Sequence, residues 1–243
     1  YYDALTVLTY VGARTKSVKL GTTVLVLPYL NPIVLAKTLA TLDVMSGGRV
    51  IVGIGVGSLP EESCALGSDY KNRGSYANES IKIMKELWTN SDPDFQGENY
   101  SFSGVKFSPK PLQKPHPPIL VGGQSMPALR RAAQLGDGWH PIALSSNKLE
   151  IKLKTLNDLL IKNGRSLSGF KVSVRSELNV TEEKITDGTS PTIGTPVQLV
   201  ESINEYADLG VNEMVFSVST DNVPFIRNVM ERFAVDVMPK CTS

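Results

Sequence analysis

Three short stretches combine small and polar residues in a way that could serve chemistry. Residues 119–125 read Ile-Leu-Val-Gly-Gly-Gln-Ser, an apolar run that meets two glycines, an amide and a hydroxyl just ahead of a helix-forming segment. Glycine lets the backbone approach a ligand, and the first N–H groups of a helix have no partner of their own. Gly122, Gly123, Gln124 and Ser125 therefore read as a turn able to hold a phosphate; a plain glycine turn with Ser125 as N-cap is the alternative. Gly55-Val56-Gly57-Ser58, followed by Glu61-Glu62, ends a second apolar run. Its glycines remove side chains where a flat ring could lie, although such a pair also serves tight turns. Gly21-Thr22-Thr23-Val24 sets a glycine inside a third apolar run, which marks a bulge or a close backbone approach.

Acids and bases are scarce near these stretches. His140, in Gly138-Trp139-His140-Pro141, could face a strand-end mouth or be satisfied by a backbone carbonyl, and Glu61 is the other candidate. There is no serine–histidine–aspartate logic, no P-loop and no EF-hand pattern. An enzyme with so few candidates borrows its chemistry from a cofactor. With two histidines and two distant cysteines, Cys64 and Cys241, no metal site of protein ligands is expected.

Composition narrows the class. The chain has 243 residues, 41% of them hydrophobic, enough for a sizeable core, and a formal net charge of +1. No run of like charge suggests nucleic acid, and no apolar stretch approaches the roughly 18 residues of a membrane span. Few cysteines suit a reducing cytoplasm. The expected partner is a small-molecule substrate.

The positioning elements follow from periodicity. Residues 2–15 have helical spacing, 18–27 form a β-branched apolar strand, and Asn31-Pro32 opens a helix over 33–45 that Ser46-Gly47-Gly48 stops. Strands are expected at 49–54, 119–121, 137–141, 170–180 and 213–218, and further helices at 73–88, 125–135, 147–163, from Thr195 onward, and 222–237. Thr195-Pro196-Val197-Gln198 reads as a capping box with proline inside it. Residues 91–118 carry six prolines and no helical period, a long loop excursion that is either functional or a surface cover.

Strict alternation of buried strands and helices means a parallel sheet, open or closed into a barrel. A (β/α)8 TIM barrel needs eight strands, and six are counted after a leading helix. The reading adopted is one barrel domain over 1–243 that lacks its N-terminal β1-α1-β2, roughly 50 to 60 residues at usual loop lengths. A six-stranded open sheet is the alternative. Ligands of either architecture sit at the carboxyl ends of the strands, where the three stretches fall.

Val18-Lys19-Leu20-Gly21-Thr22, Asn31-Pro32 with Thr41-Leu42-Asp43, Ser46-Gly47-Gly48-Arg49 and Gly53-Ile54-Gly55-Val56-Gly57 resemble the luciferase-like monooxygenase superfamily. Phe95-Gln96-Gly97, Pro117-Pro118-Ile119, Gly122-Gly123 and Gly136-Asp137-Gly138-Trp139 continue the likeness in order, which fades after residue 141. Within the superfamily the chain is most similar to the coenzyme F420-dependent oxidoreductases. The resemblance implies a barrel with a deazaflavin or FMN across the strand ends. It implies a bulge with a non-prolyl cis peptide at Thr23–Val24 behind the ring, Thr22 beside it, and Gly55, Gly57 and Ser58 bordering the ring. It also implies a phosphate turn at Gly122 to Ser125 and a homodimer. Members that oxidise a sugar phosphate carry a glutamate where this chain has Ser58, so sugar-phosphate oxidation is not expected. The leading reading is F420-dependent hydride transfer; FMN-dependent monooxygenation and cofactor binding without turnover are the alternatives.

Overall fold

Local cap chemistry starts most of the helices. The computed structural model describes residues 2–142, 144–186 and 190–241. Helix α1 (Ala4–Arg14) begins where the Asp3 carboxylate accepts from Thr6 N–H at 2.8 Å. Two short strands follow, β1 (Leu20–Gly21) and β2 (Leu25–Val26), and then helix α2 (Pro32–Ser46), capped by the Asn31 side chain with proline in the first turn. Gly47 ends α2 in a left-handed conformation (φ +75°) that a side chain would strain. Strand β3 (Val50–Gly55) is buried along its whole length. Then come α3 (Pro60–Ala65), α4 (Arg73–Thr89), the hairpin β4 (Phe95–Gln96) and β5 (Ser101–Phe102), and strand β6 (Ile119–Gly122). The remaining elements are α5 (Met126–Leu135), β7 (Gly138–His140), α6 (Ser146–Lys162), β8 (Lys171–Glu177), β9 (Asn179–Val180), β10 (Ile193–Gly194), α7 (Pro196–Asp208), β11 (Glu213–Ser217) and α8 (Val223–Arg232).

The chain divides into two units, Tyr1–Gly122 with Gln134–Asp137, and Gly123–Ala133 with Gly138–Ser243. In the first, β3 is the centre of a parallel sheet: β1 and β2 pair along one edge and β6 along the other. Helices α2 and α4 bury Leu35, Leu39, Ile81, Met84 and Trp88, and the Trp88 indole donates to the Ala36 carbonyl at 3.0 Å. Arg49, at the N-terminal end of β3, donates to the carbonyls of Gly12, Thr15, Val18 and Ser46, which clamps the end of α1 to the end of α2.

Hydrogen bonds along its length tie the excursion over 91–118 down. Its hairpin turn delivers the Asn99 and Tyr100 N–H groups to the Glu79 carboxylate at 3.0 and 2.8 Å. The Tyr76 and Tyr100 hydroxyls meet at 2.8 Å. Lys110 donates to the Leu87 carbonyl at the end of α4, and Gln113 reaches the buried Asp43 carboxylate at 2.7 Å.

In the second unit β7, β8 and β11 form a parallel ladder with Trp139 opposite Val172 and Met214 opposite Val174. Leu178, Val180, Leu199, Val229 and Val237 make its apolar cluster with α7 and α8. Thr195 and Gln198 form the expected capping box at α7.

Three of the expected elements take a different form. The strand over 18–27 is interrupted, because Gly21 pairs with Ile51 and Leu25 with Ile54, leaving one residue extra on the outer strand. The strand over 170–180 stops at Glu177, and Asn179–Val180 pairs instead with Ile193–Gly194. The last helix is α-helical to Arg232 and continues as a wider turn over Phe233–Val237. Helix α3, with no long apolar period of its own, was not anticipated.

Candidate functional site

The interrupted strand supplies the first cluster. Thr22 is buried and its hydroxyl donates to the Gly53 carbonyl at 2.8 Å, while the Thr23–Val24 peptide is cis, where the resemblance places it. The glycines of β3 serve this bulge. A Cβ on Gly53 would stand 1.9 Å from the Thr22 carbonyl oxygen, and one on Gly55 would stand 2.7 Å from Val24 Cγ2. Gly57, at φ +78°, leaves room for the Tyr29 hydroxyl and Val26 Cγ1. The spacing G-x-G-x-G thus accommodates the neighbouring strand, and Thr23 and Val24 are the exposed residues of the cluster. Ser58 is exposed, and its carbonyl accepts from the Tyr70 hydroxyl at 3.3 Å. Glu61 and Glu62 lie exposed in the first turn of α3, and burial and then the Glu62 carboxylate hold the Tyr29 phenol above its ordinary pKa.

The glycine turn is the second cluster. Gly122 ends β6, and Gly123 has φ +96°, a conformation open to glycine. Ser125 Oγ lies 3.4 Å from Ala128 N, and the Ser125 carbonyl accepts from Leu129 N at 3.0 Å to begin α5. The Gln124 amide donates to the Ile142 carbonyl at 2.7 Å, and the Trp139 indole donates to the Gly123 carbonyl at 2.7 Å. Among the described residues, the backbone N–H groups of Gln124, Ser125 and Met126 have no acceptor. Backbone donors without an acceptor at the start of a helix are the chemistry an anion's oxygens require. The residues present fit a phosphate.

His140 ends β7 at 5% exposure, with Nδ1 3.0 Å from the Ser173 hydroxyl. Burial pushes its pKa below the ordinary value, the Arg175 guanidinium adds to that, and Ser173 pulls the other way. The imidazole is therefore held neutral. Ser173, Arg175 and the anchoring role of Trp139 were missed in the sequence, because their signal lies in strand register: Trp139 opposite Val172 sets His140 beside Ser173.

Among the described residues no helix is long and apolar enough to cross a membrane, and no three His, Cys, Asp or Glu residues gather as metal ligands. The fold is that of the α/β barrel class. The chain matches coenzyme F420-dependent tetrahydromethanopterin reductase from Methanopyrus kandleri with a TM-score of 0.85 at 17% identity, over 99% of this chain and 88% of that one. It matches a monooxygenase from Streptomyces bottropensis with a TM-score of 0.83 at 23% identity, over 98% and 82%. The chain belongs to the luciferase-like monooxygenase family, whose sequence profile matches residues 1–184. It is 28% identical to an F420-dependent glucose-6-phosphate dehydrogenase of Amycolatopsis mediterranei (strain U-32), over 95% of this chain and 81% of that protein. It is 30% identical to an FMNH(2)-dependent dimethylsulfone monooxygenase of Pseudomonas putida, over 72% of this chain and 48% of that protein.

Proposed function

We propose that the chain is an oxidoreductase that moves a hydride between coenzyme F420 and a small organic substrate. The observation that carries this reading is the glycine turn, whose free N–H groups at Gln124, Ser125 and Met126 stand at the start of α5. In this reading Gly122, Gly123, Gln124 and Ser125 hold the cofactor's phosphate, and Ser125 adds its hydroxyl. Thr22, Thr23 and Val24 back the ring, and Gly55 and Gly57 contribute by admitting Val24 and Tyr29. Ser58 borders the ring where sugar-phosphate oxidisers carry a carboxylate, so a different substrate class is expected. The cofactor supplies the hydride chemistry; the protein orients it and excludes water from one face.

His140 and Glu61 are the candidate catalytic residues. FMN-dependent monooxygenation is the second reading, favoured by the likeness to the dimethylsulfone enzyme. We expect a cytoplasmic protein and a homodimer; light scattering of the purified protein would test the dimer. The deciding experiment is titration of the protein with F420 and, separately, with FMN, read by fluorescence quenching. Saturation by F420 alone supports hydride transfer, and saturation by FMN alone moves the protein to the monooxygenases. Binding of neither overturns the reading of the glycine turn.

A further inference from the structure

The glycine turn has a weakness that its own residues do not cure. Gly123 sits at φ +96°, where a glycine also has easy access to other conformations, so the peptide linking it to Gln124 can rotate at little cost. The direction of that peptide matters to an anion. Carbonyl and N–H of a trans peptide point in opposite directions, so one orientation offers a donor and the other a repelling oxygen.

The indole of Trp139 selects between them. Trp139 is fully buried in β7, which is held in register by β8. Its Nε1–H donates to the Gly123 carbonyl at 2.7 Å. With that oxygen turned toward the indole, the N–H of Gln124 is turned away from it. A second tether acts from the same side of the chain: the Gln124 amide donates to the Ile142 carbonyl, two residues beyond the end of β7. Neither bond spends a donor of the turn's backbone, so all three free N–H groups remain available.

We propose that Trp139 is a positioning residue for anion recognition: its indole N–H locks the Gly123–Gln124 peptide with the Gln124 N–H facing the phosphate of the cofactor. This rests on the reading of the glycine turn as the phosphate site. A tryptophan that only fills the core would support binding of any part of the cofactor. The lock affects the phosphate alone.

The test is Trp139→Phe, which keeps an apolar ring and removes the donor. Affinities are measured for two pairs that differ in the phosphate alone: FMN against riboflavin, and the 5′-phosphate of the deazaflavin alcohol of F420 against that alcohol. Wild-type protein should prefer the phosphate-bearing member of the pair it binds. The variant should lose about tenfold for that member, the equivalent of one hydrogen bond to a charged group, and keep its affinity for the phosphate-free one. Equal wild-type affinity for both members, or binding of neither, overturns the phosphate reading and the proposal with it. A wild-type preference that survives unchanged in Trp139→Phe, or a variant that loses both members alike, overturns the role of Trp139 and leaves the phosphate site standing.

Should the variant not fold, the wild-type protein decides. It has two tryptophans, so Trp88→Phe assigns the indole ¹H–¹⁵N signals. The Trp139 signal should shift with the phosphate-bearing ligand and not with its phosphate-free partner. The same response to both overturns the proposal.

Discussion

Val24 Cγ2 occupies the space that a side chain on Gly55 would need, 2.7 Å from where its Cβ would stand. Two residues earlier on the same strand, the Thr22 carbonyl oxygen lies 1.9 Å from the corresponding point on Gly53. The two glycines therefore differ in what a methyl group would strike. Backbone cannot turn aside, and a valine side chain can. Gly53→Ala should destabilise by about 3 kcal/mol and Gly55→Ala by about 1 kcal/mol. Adding Val24→Ala to Gly55→Ala should recover most of that loss, and Val24→Ala should not rescue Gly53→Ala. Urea unfolding of the four proteins reads both results, and rescue at Gly53 would show that the clash lies elsewhere.

Arg49 holds the other end of the same strand. Its Nε donates to Ser46, one terminal nitrogen to Thr15 Oγ1 and Val18, and the other to Gly12 and Thr15. Five bonds in a planar fork cannot be reproduced by an ammonium. Arg49→Lys should cost about 3 kcal/mol and raise hydrogen exchange over α1, with cofactor affinity unchanged, since residues at the N-terminal ends of such strands serve stability. Equal exchange over α1 in the two proteins would count against the clamp.

Glu79 ties the hairpin turn to α4. Burial pulls its pKa upward, but the donors of Asn99 and Tyr100 outweigh it, and the net shift is downward from 4.5. A depressed carboxyl pKa contributes stability that is fully present above the unfolded value and is lost as pH falls through the folded one. Glu79→Gln should therefore be less stable by about 1–3 kcal/mol at pH 7. The gap should close as the pH drops below the ordinary glutamate range. A gap that stays constant down to the acid limit would assign the loss to packing.

His140 gives the same proton balance at higher pH. Its folded pKa lies below 6.5, because the buried ring resists charging. The unfolded chain then binds the extra proton, so stability is complete above 6.5 and declines as pH falls through the folded value. His140→Gln should flatten the decline between neutral pH and that value. Titration of the ring by NMR gives the folded pKa directly, and a value at or above 6.5 would contradict the buried, neutral ring.

Gly123 tests the anion site by charge. Any side chain there is strained at φ +96°, so Gly123→Ala is the reference for Gly123→Asp. The aspartate should weaken binding of the phosphate-bearing cofactor by about 1.5–3 kcal/mol beyond the alanine, with no such difference for the phosphate-free analogue. Calorimetric titration reads both, and equal affinities for the two variants would remove the phosphate from this turn.

What the sequence determined by itself was local. Asn31 with Pro32, Gly47, and Thr195 with Gln198 act within one helical turn, so their types and spacing were enough to bound α2 and open α7. The apolar runs and their alternation with helices gave the parallel class, and the order of short glycine motifs pointed to the family and to the turn at Gly122–Ser125. What only the tertiary structure decided depends on register between strands distant in sequence. The bulge at Thr22–Val24 exists because β1 and β2 pair one residue out of step on β3, and Gly53 and Gly55 are explained by that neighbour. The bonds from Trp139 to Gly123 and from His140 to Ser173 span 16 and 33 residues. Side-chain type announces that a donor must find an acceptor. Which acceptor it finds is set by the packing of whole strands, and no local pattern encodes that.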